Sequence, residues 1–287
     1  MAKRPGRSPR WKHWQRNVIA VLSLSFYATM GPLGYLAFTA LALLPTRNPE
    51  ARALRLQGIM RRAFAMLHHW MRWFDFLDYD PRSLHGKVYE GKCVVISNHP
   101  ALEDVTTIMS GVPRLCTAVN RVTFNHWWLR PLLSQAGQFC GGASNPLGSG
   151  TVLDTAAERL RQGFRVLVFP EGHRSPRGQL RPFARGAFEI ACREDVPIVP
   201  ILIRADPLWL ARGDRLFPVP VEVPAKRLEV LETLHPRDFG GDSRAMRDHA
   251  EAMYSRLLDA PVARRILALE ADRPTTKAIE SQPGGLK

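Results

Sequence analysis

The chain has 287 residues, of which 45% are apolar, so it can build a sizeable core and is not a wholly disordered protein. Its 40 Lys and Arg residues against 26 Asp and Glu give a net charge of +14, which predicts an anionic partner such as a bilayer, an acidic carrier protein or nucleic acid. No nucleic-acid-binding module is recognisable, and we expect no nucleic acid partner. The four cysteines lack the spacing of a disulfide framework or a zinc site, so we expect reduced, buried thiols.

An uncharged stretch of 28 residues runs from Asn17 to Leu44, with basic residues on both sides. The stretch is long enough to cross a bilayer, but Gly31-Pro32 divides it into two arms, each too short to span alone. Positive charge on both flanks favours both ends on the cytoplasmic face. We therefore predict a helical hairpin that dips into one leaflet; a single kinked span and a hairpin buried in a soluble core are the alternatives.

The next segment, Glu50 to Leu77, has apolar residues at helical spacings and arginines largely off that stripe. The pattern predicts a basic amphipathic helix, and it fits an interfacial membrane helix and a core-facing helix equally well. Residues 1–80 are therefore expected to form a basic, membrane-associated N-terminal region.

Short β-rich segments alternate with helical segments between residues 81 and 270. The predicted strands are Lys92–Ser97, Arg114–Val119, Gly137–Cys140, Phe164–Phe169, Val196–Ile203 and Leu228–Leu234. The predicted helices are Glu103–Ser110, Asn125–Gln135, Thr151–Arg161, Ala184–Arg193 and Ser243–Leu269. This alternation predicts an α/β domain with a largely parallel mixed sheet flanked by helices. The polar residues 271–287, with two prolines and a Gly-Gly, predict a disordered tail.

A histidine and a carboxylate follow the first predicted strand, within residues 98–104, Asn-His-Pro-Ala-Leu-Glu-Asp. Five helical residues turn through about 500°, so His99 and Asp104 meet only if His99 lies in the loop and Asp104 in the first turn of the helix. Asp104 would then hold one imidazole nitrogen and leave the other free as a base. A His99 that merely caps the helix is the structural alternative.

A second polar segment, Pro-Glu-Gly-His-Arg-Ser at residues 170–175, follows another wholly apolar strand. Sites in open α/β sheets form at the carboxyl ends of strands, so we expect Glu171 near His99. From Arg174 to Arg193 there are five arginines and one acid, which makes this stretch a candidate anion cradle. A third segment, 196–203, contains two prolines and predicts an edge strand or a pocket-wall strand.

The three segments read Asn-His-x4-Asp, Phe-Pro-Glu-Gly-x-Arg-Ser and Val-Pro-Ile-Val-Pro, and they resemble, in order and spacing, sequence blocks of the lysophospholipid (glycerolipid) acyltransferase family. The 1-acylglycerol-3-phosphate acyltransferases are its best-known members. The similarity covers roughly residues 92–234. It implies that His99 is the catalytic base and that Asp104 orients it. The residues that the resemblance assigns to substrate binding are Asn98, Pro170, Glu171, Gly172, Arg174 and Ser175.

The resemblance implies an O-acyltransferase of lipid biosynthesis that moves an acyl chain from coenzyme A or acyl carrier protein to the hydroxyl of a lyso-lipid. It implies that the protein uses neither a metal nor a bound cofactor. It also implies a location at the cytoplasmic face of the cell membrane. His173 stands where the family usually has Thr or Ser, and residues 137–145 lack the arginine of the family's second block. Arg121 or Arg185 would then have to contact the acceptor phosphate. An acyltransferase for another acceptor and a non-catalytic binder of anionic lipid are the alternatives.

Overall fold

The computed structural model describes residues 14–23, 25, 35–40, 44–45, 48–142, 150–215, 217 and 219–260. Its centre is a six-stranded sheet in the order β3-β2-β4-β1-β5-β6. The strands are β1 (Val94–Ser97), β2 (Leu115–Val119), β3 (Phe139–Cys140), β4 (Arg165–Val168), β5 (Ile198–Asp206) and β6 (Ala225–Val230). Strands β1 to β5 are parallel, and β6 runs antiparallel to β5. The predicted α/β class with a largely parallel mixed sheet is confirmed.

Helices cover both faces of the sheet. They are α1 (Pro49–Trp73), α2 (Asp104–Gly111), α3 (Arg121–Phe124), α4 (Leu129–Gln135), α5 (Gly150–Arg161), α6 (Gly186–Glu194) and α7 (Ser243–Leu258). Val94 and Ile96 of β1 join the apolar cluster under α5, α6 and α7, whereas Val95 joins the cluster under α1 and α2. Because successive side chains of a strand point to opposite faces, burial on both faces requires the continuous apolar runs that the sequence shows.

The segment 196–203 forms an inner strand, so the predicted edge position is wrong. β5 pairs with β1 on one side and β6 on the other. Pro200 is tolerated there because the ladder to β6 begins only at Ile201, and the missing N–H falls outside it. The carbonyl of Pro200 still accepts a hydrogen bond from the Leu231 N–H at 2.9 Å. The pocket-wall alternative fits better, since Ile203 lines a cavity of about 240 Å³.

The predicted amphipathic helix forms α1, and its apolar stripe faces the core. Asn48 caps it by accepting a hydrogen bond from the Ala51 N–H at 3.0 Å. Leu56 and Met60 are buried against the sheet, which favours the core-facing alternative for this part of the helix. Trp73 at the end of α1 is exposed.

Two helix boundaries differ from the predictions. The helix predicted over 125–135 begins only at Leu129, as α4, and the short helix α3 precedes the predicted range. The last helix ends at Leu258, because Asp259 adopts a left-handed conformation with φ of 49° and terminates it. The predicted disordered tail, 271–287, lies outside the described residues.

The uncharged N-terminal stretch is described only in part. Residues 14–23 and 35–40 are helical, and the Gly31-Pro32 break lies outside the described residues. Ala20 packs in a cluster with Trp209 and Val219, and Phe38 joins the cluster under α1 and α2. Within this part of the chain, no helix has both the length and the apolar character needed to cross a membrane. The hairpin and the boundaries 1–80, 81–270 and 271–287 stay predictions.

Candidate active site

His99 and Asp104 meet at the carboxyl end of β1, in the arrangement that their spacing requires. β1 ends at Ser97, His99 lies in the loop, and Asp104 is the first residue of α2. The His99 Nδ1 lies 2.9 Å from Asp104 Oδ2, which also accepts the Ala101 N–H at 2.7 Å. The Asp104 side chain is fully buried, whereas the His99 side chain is 15% exposed. The imidazole is therefore oriented by a buried carboxylate while part of its ring faces solvent.

Lys226 lies beneath this pair and is fully buried. Its Nζ donates to Asp104 Oδ1 at 2.6 Å and to Glu103 Oε1 at 2.7 Å. We call Glu103, Asp104 and Lys226 the carboxylate–lysine cluster. Burial alone would raise the pKa of Asp104, but the Lys226 charge and the His99 contact outweigh burial and hold that pKa below its usual value. Burial would likewise lower the pKa of Lys226, and the two carboxylates outweigh it and raise that pKa.

Sequence reasoning missed Lys226, which follows Asp104 by 122 residues. The predicted last strand began at Leu228, whereas β6 begins at Ala225. Leu228 and Val230 pack against the core beneath α1 and α2. Because alternate residues of a strand share a face, Lys226 lies on the same apolar face as Leu228 and Val230. A lysine on a buried face is the sequence feature that could have indicated a buried ion pair.

Glu171 ties the loop after β4 to the His99 loop. Its carboxylate accepts the His99 N–H at 3.0 Å, the Arg181 N–H at 2.7 Å and the Ser175 hydroxyl at 2.7 Å. The Ser175 N–H donates in turn to the His99 carbonyl at 2.7 Å. Burial raises the pKa of Glu171, and these hydrogen bonds oppose that rise. The expected meeting of His99 and Glu171 at one edge of the sheet is confirmed.

Three other predicted site residues shape the loops by backbone contacts. The Asn98 amide exchanges two hydrogen bonds with the backbone of Ile203, at 2.8 and 2.9 Å. The Pro170 carbonyl accepts the Ala184 N–H at 2.8 Å. Gly172 has φ of 70° in a turn closed onto the Phe169 carbonyl, a conformation that favours glycine.

The five arginines from Arg174 to Arg193 do not converge, so the predicted anion cradle is wrong. Arg174 donates to the carbonyls of Leu210 and Ala211, both at 3.1 Å. Arg185 pairs with Glu189 one turn along α6. The remaining three are Arg177, which pairs with Asp214, Arg193, which pairs with Asp154, and the buried Arg181. Three of the five arginines are thus paired with three different acids, and a fourth, Arg174, is bonded to backbone carbonyls.

A largely apolar cavity of about 380 Å³ opens beside His99. The Phe169 ring stacks on the imidazole with a centroid distance of 4.2 Å and forms part of the wall. The other lining residues are Leu102, Val105, Thr117, Ala118, Val119, Asn120, Thr123, Gly142, Leu167, Val168, Gly172 and His173. A cavity of this size and lining suits a small or chain-like apolar group with a few polar contacts.

The aromatic-rich segment next to the cavity is partly exposed. Asn120 and Thr123 line the cavity, whereas the neighbouring Val122 and Trp127 are 80% and 82% exposed. Arg121 lies between Asn120 and Val122 in the sequence and is the first residue of α3. This segment therefore presents apolar and basic side chains to solvent beside the cavity.

The thiols and the described acids and histidines give no sign of metal chemistry. All four cysteines are free, and burial raises the pKa of Cys93 and Cys116 to about 12. Within the described ranges, no group of three or more His, Cys, Asp or Glu side chains could hold a metal ion. The expected burial is found for Cys93 and Cys116, whereas Cys140 and Cys192 are partly buried.

A family model described as "Acyltransferase" matches residues 81–204, which include the His99–Asp104 pair. Residues 81–204 therefore match the acyltransferase family. It is similar to 1-acyl-sn-glycerol-3-phosphate acyltransferase alpha of Mus musculus, at 26% identity over 208 residues that cover 70% of each chain. It is also similar to the beta enzyme of Homo sapiens, at 32% identity over 128 residues, 43% of this chain and 44% of that protein.

The fold matches a solved acyltransferase as well. The crystal structure of the 1-acyl-sn-glycerophosphate (LPA) acyltransferase PlsC from Thermotoga maritima superimposes with a TM-score of 0.57 at 19% identity. The match covers 93% of this chain and 98% of that chain. The family match and the named relatives make this chain an O-acyltransferase.

The acyltransferase carries a second buried histidine, His68 on α1, close to the carboxylate–lysine cluster. Its ring makes an edge contact with Tyr79 at 5.2 Å, and the Tyr79 hydroxyl donates to the Thr107 carbonyl at 3.0 Å. Burial and the nearby positive charge of Lys226 lower the pKa of His68 from 6.5 to about 4. His68 is therefore neutral at physiological pH.

We expect His68 to make the acyltransferase acid-labile. Below pH 6.5 the unfolded chain takes up a proton that the folded chain refuses until about pH 4. The free energy of unfolding should therefore fall by about 3 kcal/mol over this range because of this one group. His68→Leu should remove that part of the pH dependence in urea unfolding measured at a series of pH values.

His85→Leu, at an exposed position, is the matched control and should keep the wild-type pH dependence. If His68→Leu lost stability on acidification as steeply as the wild type, the statement that buried His68 stays neutral in the folded protein would be contradicted.

Proposed function

We propose that this acyltransferase transfers an acyl chain from a thioester donor, acyl-coenzyme A or acyl carrier protein, to the free hydroxyl of a 1-acylglycerol-3-phosphate. The observation that carries the proposal is the His99–Asp104 contact at the wall of an apolar cavity, within the residues that match the family. The names of the relatives support the choice of acceptor.

In this proposal His99 is the general base. Asp104 holds the proton on Nδ1, so Nε2 takes the proton of the acceptor hydroxyl as its oxygen attacks the thioester carbonyl. The tetrahedral intermediate then collapses, the C–S bond breaks, and the imidazolium returns the proton to the leaving thiolate. Such proton transfer contributes about 10²- to 10⁴-fold to the rate, and the positioning of two bound substrates contributes further.

The cavity walls suggest how the substrates lie. Leu102, Val105 and Phe169 offer an apolar surface for an acyl chain. Asn120, Thr123 and His173 are polar residues of the same wall and would serve a headgroup. Glu171 and Arg174 are hydrogen-bonded to their own protein neighbours. We infer that these two hold the loops around the cavity and that the acceptor phosphate finds its cation elsewhere.

Substitution of the base tests the reaction itself. His99→Ala should reduce formation of the diacyl product at least about a hundredfold, because the base is lost. Purified protein is given each thioester donor with a panel of lyso-lipids, and products are followed by mass spectrometry.

His85→Ala, an exposed histidine outside the cavity, is the control and should keep full activity. Equal turnover by His99→Ala and the wild type would refute the proposed base. A lyso-lipid other than 1-acylglycerol-3-phosphate as the sole acceptor would replace the proposed substrate.

Arg121 is the better placed of the two candidate phosphate ligands. It follows Asn120, which lines the cavity, whereas Arg185 is paired with Glu189. Arg121→Gln should raise the KM for 1-acylglycerol-3-phosphate about tenfold, the loss expected for one charge-assisted hydrogen bond. Arg185→Gln should leave that KM unchanged in the same steady-state assay, and the reverse ranking would assign the phosphate to Arg185.

We further propose that the enzyme works at the cytoplasmic face of an anionic membrane. The net charge of +14 and the basic flanks of the uncharged stretch support this location, as do the exposed Val122 and Trp127 beside the cavity. A Trp at such a position suits the interface between headgroups and acyl chains. A lipid acceptor could then enter the cavity from the bilayer.

The aromatic contact is tested by vesicle sedimentation. Trp127→Ser should weaken binding to vesicles that contain anionic lipid several-fold, because a large apolar side chain no longer enters the interface. Tyr89→Ser, a half-exposed aromatic before the amino end of β1, should bind like the wild type. Equal binding of all three proteins would remove Trp127 from the membrane contact.

A further inference from the structure

Lys226 is a buried cation that directly contacts the carboxylate that orients the proposed base. It lies on β6, and its ammonium bridges Glu103 and Asp104 with no exposure to solvent. We propose that Lys226, counterbalanced by Glu103, is a positioning residue that keeps Asp104 ionised, aims it at His99 and sets the net charge beneath the imidazole. The kinetic part of this inference rests on the proposed function, and the electrostatic part does not.

The division of the Asp104 oxygens supports the orienting role. Lys226 takes Oδ1, which leaves Oδ2 for the His99 Nδ1 and the Ala101 N–H. A carboxylate held at both oxygens from two elements cannot rotate away from the imidazole. The His99 tautomer with its proton on Nδ1 is then the one that Asp104 selects.

The charges of the cluster support the tuning role. Glu103, Asp104 and Lys226 sum to −1, and an imidazolium on His99 during acyl transfer brings the total to zero. Without the lysine, two carboxylates would share one buried space, and such pairs capture a proton. A protonated Asp104 would be a poorer acceptor for the Nδ1 proton, so the cation protects the ionisation that the base needs.

Stability alone is a weak reason for this cluster. A buried ion cluster loses the hydration of every charged member, and apolar residues of similar volume often serve a core equally well or better. Glu103 Oε2 is buried, with no hydrogen-bond partner among the described residues. A partly satisfied carboxylate in a buried cluster points to a role in setting charge.

Other titratable groups face the pair from neighbouring elements. Glu171 accepts the His99 N–H, and His173 lines the same cavity. His68 on α1 and Tyr79 lie within the field of Lys226. These four groups are the same in every variant compared below, so differences between the variants report on Glu103 and Lys226.

The test measures the titration of His99 by NMR of protein labelled at its histidine rings, with the signal assigned from His99→Ala. Glu103→Gln brings the cluster to a net charge of zero and should lower the His99 midpoint by about one pH unit. Glu103→Gln combined with Lys226→Met restores −1 and should return the midpoint toward the wild-type value. The combined variant avoids two unpaired carboxylates, so it is the one expected to fold, and a thermal melt verifies this.

Kinetics supply the second measurement. The acid limb of the kcat/KM profile for acyl transfer should move in the same order as the NMR midpoints, with KM for the acceptor unchanged. If the wild type transferred no acyl chain, the proposed function would fail, and the NMR midpoints would still decide the inference. If all three proteins titrated at the same pH and differed only in melting temperature, Lys226 would be merely structural and the inference overturned.

Discussion

The buried carboxylate of Asp104 is the interaction on which the rest of the site depends. An ionised carboxylate in a dry interior costs several kcal/mol unless donors surround it. Here the donors come from three places: the His99 ring, the Ala101 N–H and the Lys226 ammonium. The loop after β1, the start of α2 and the antiparallel strand β6 must all be in place before this charge is stable.

The sequence predicted the parts of this protein that local patterns encode. Apolar runs gave the strands, and the spacing of His99 and Asp104 gave their contact, because both depend on residues a few positions apart. The order of the strands is a long-range property that the sequence does not reveal. The two prolines of β5 predicted an edge strand or a pocket-wall strand, and the edge position is wrong because β5 lies inside the sheet. The contacts of Lys226 with Glu103 and Asp104 were not predicted either, because these residues lie more than a hundred positions earlier in the sequence.

The local excess of arginines was a poor predictor of an anion-binding site. Five arginines near Glu171 suggested one anion site, yet Arg174, Arg177 and Arg185 each have a different partner. Exposed ion pairs of this kind contribute roughly 0–1 kcal/mol each to stability. Their partners depend on which acids lie nearby in the fold, so a local sequence motif does not predict them. The family resemblance assigned Glu171 to substrate binding, which stays a prediction, and the geometry shows its carboxylate hydrogen-bonded to the His99 loop and to Arg181.

The Phe169 ring covers one face of the His99 imidazole and so restricts how another molecule can approach this histidine. One face of the imidazole is covered by an aromatic ring and Nδ1 contacts Asp104, so Nε2 is the ring nitrogen left for another partner. If His99 is the base, as proposed, an acceptor oxygen would have to reach Nε2 close to the plane of the imidazole ring. In the proposed reaction, the Phe169 ring would therefore help to select which hydroxyl of a polyol backbone reaches the base.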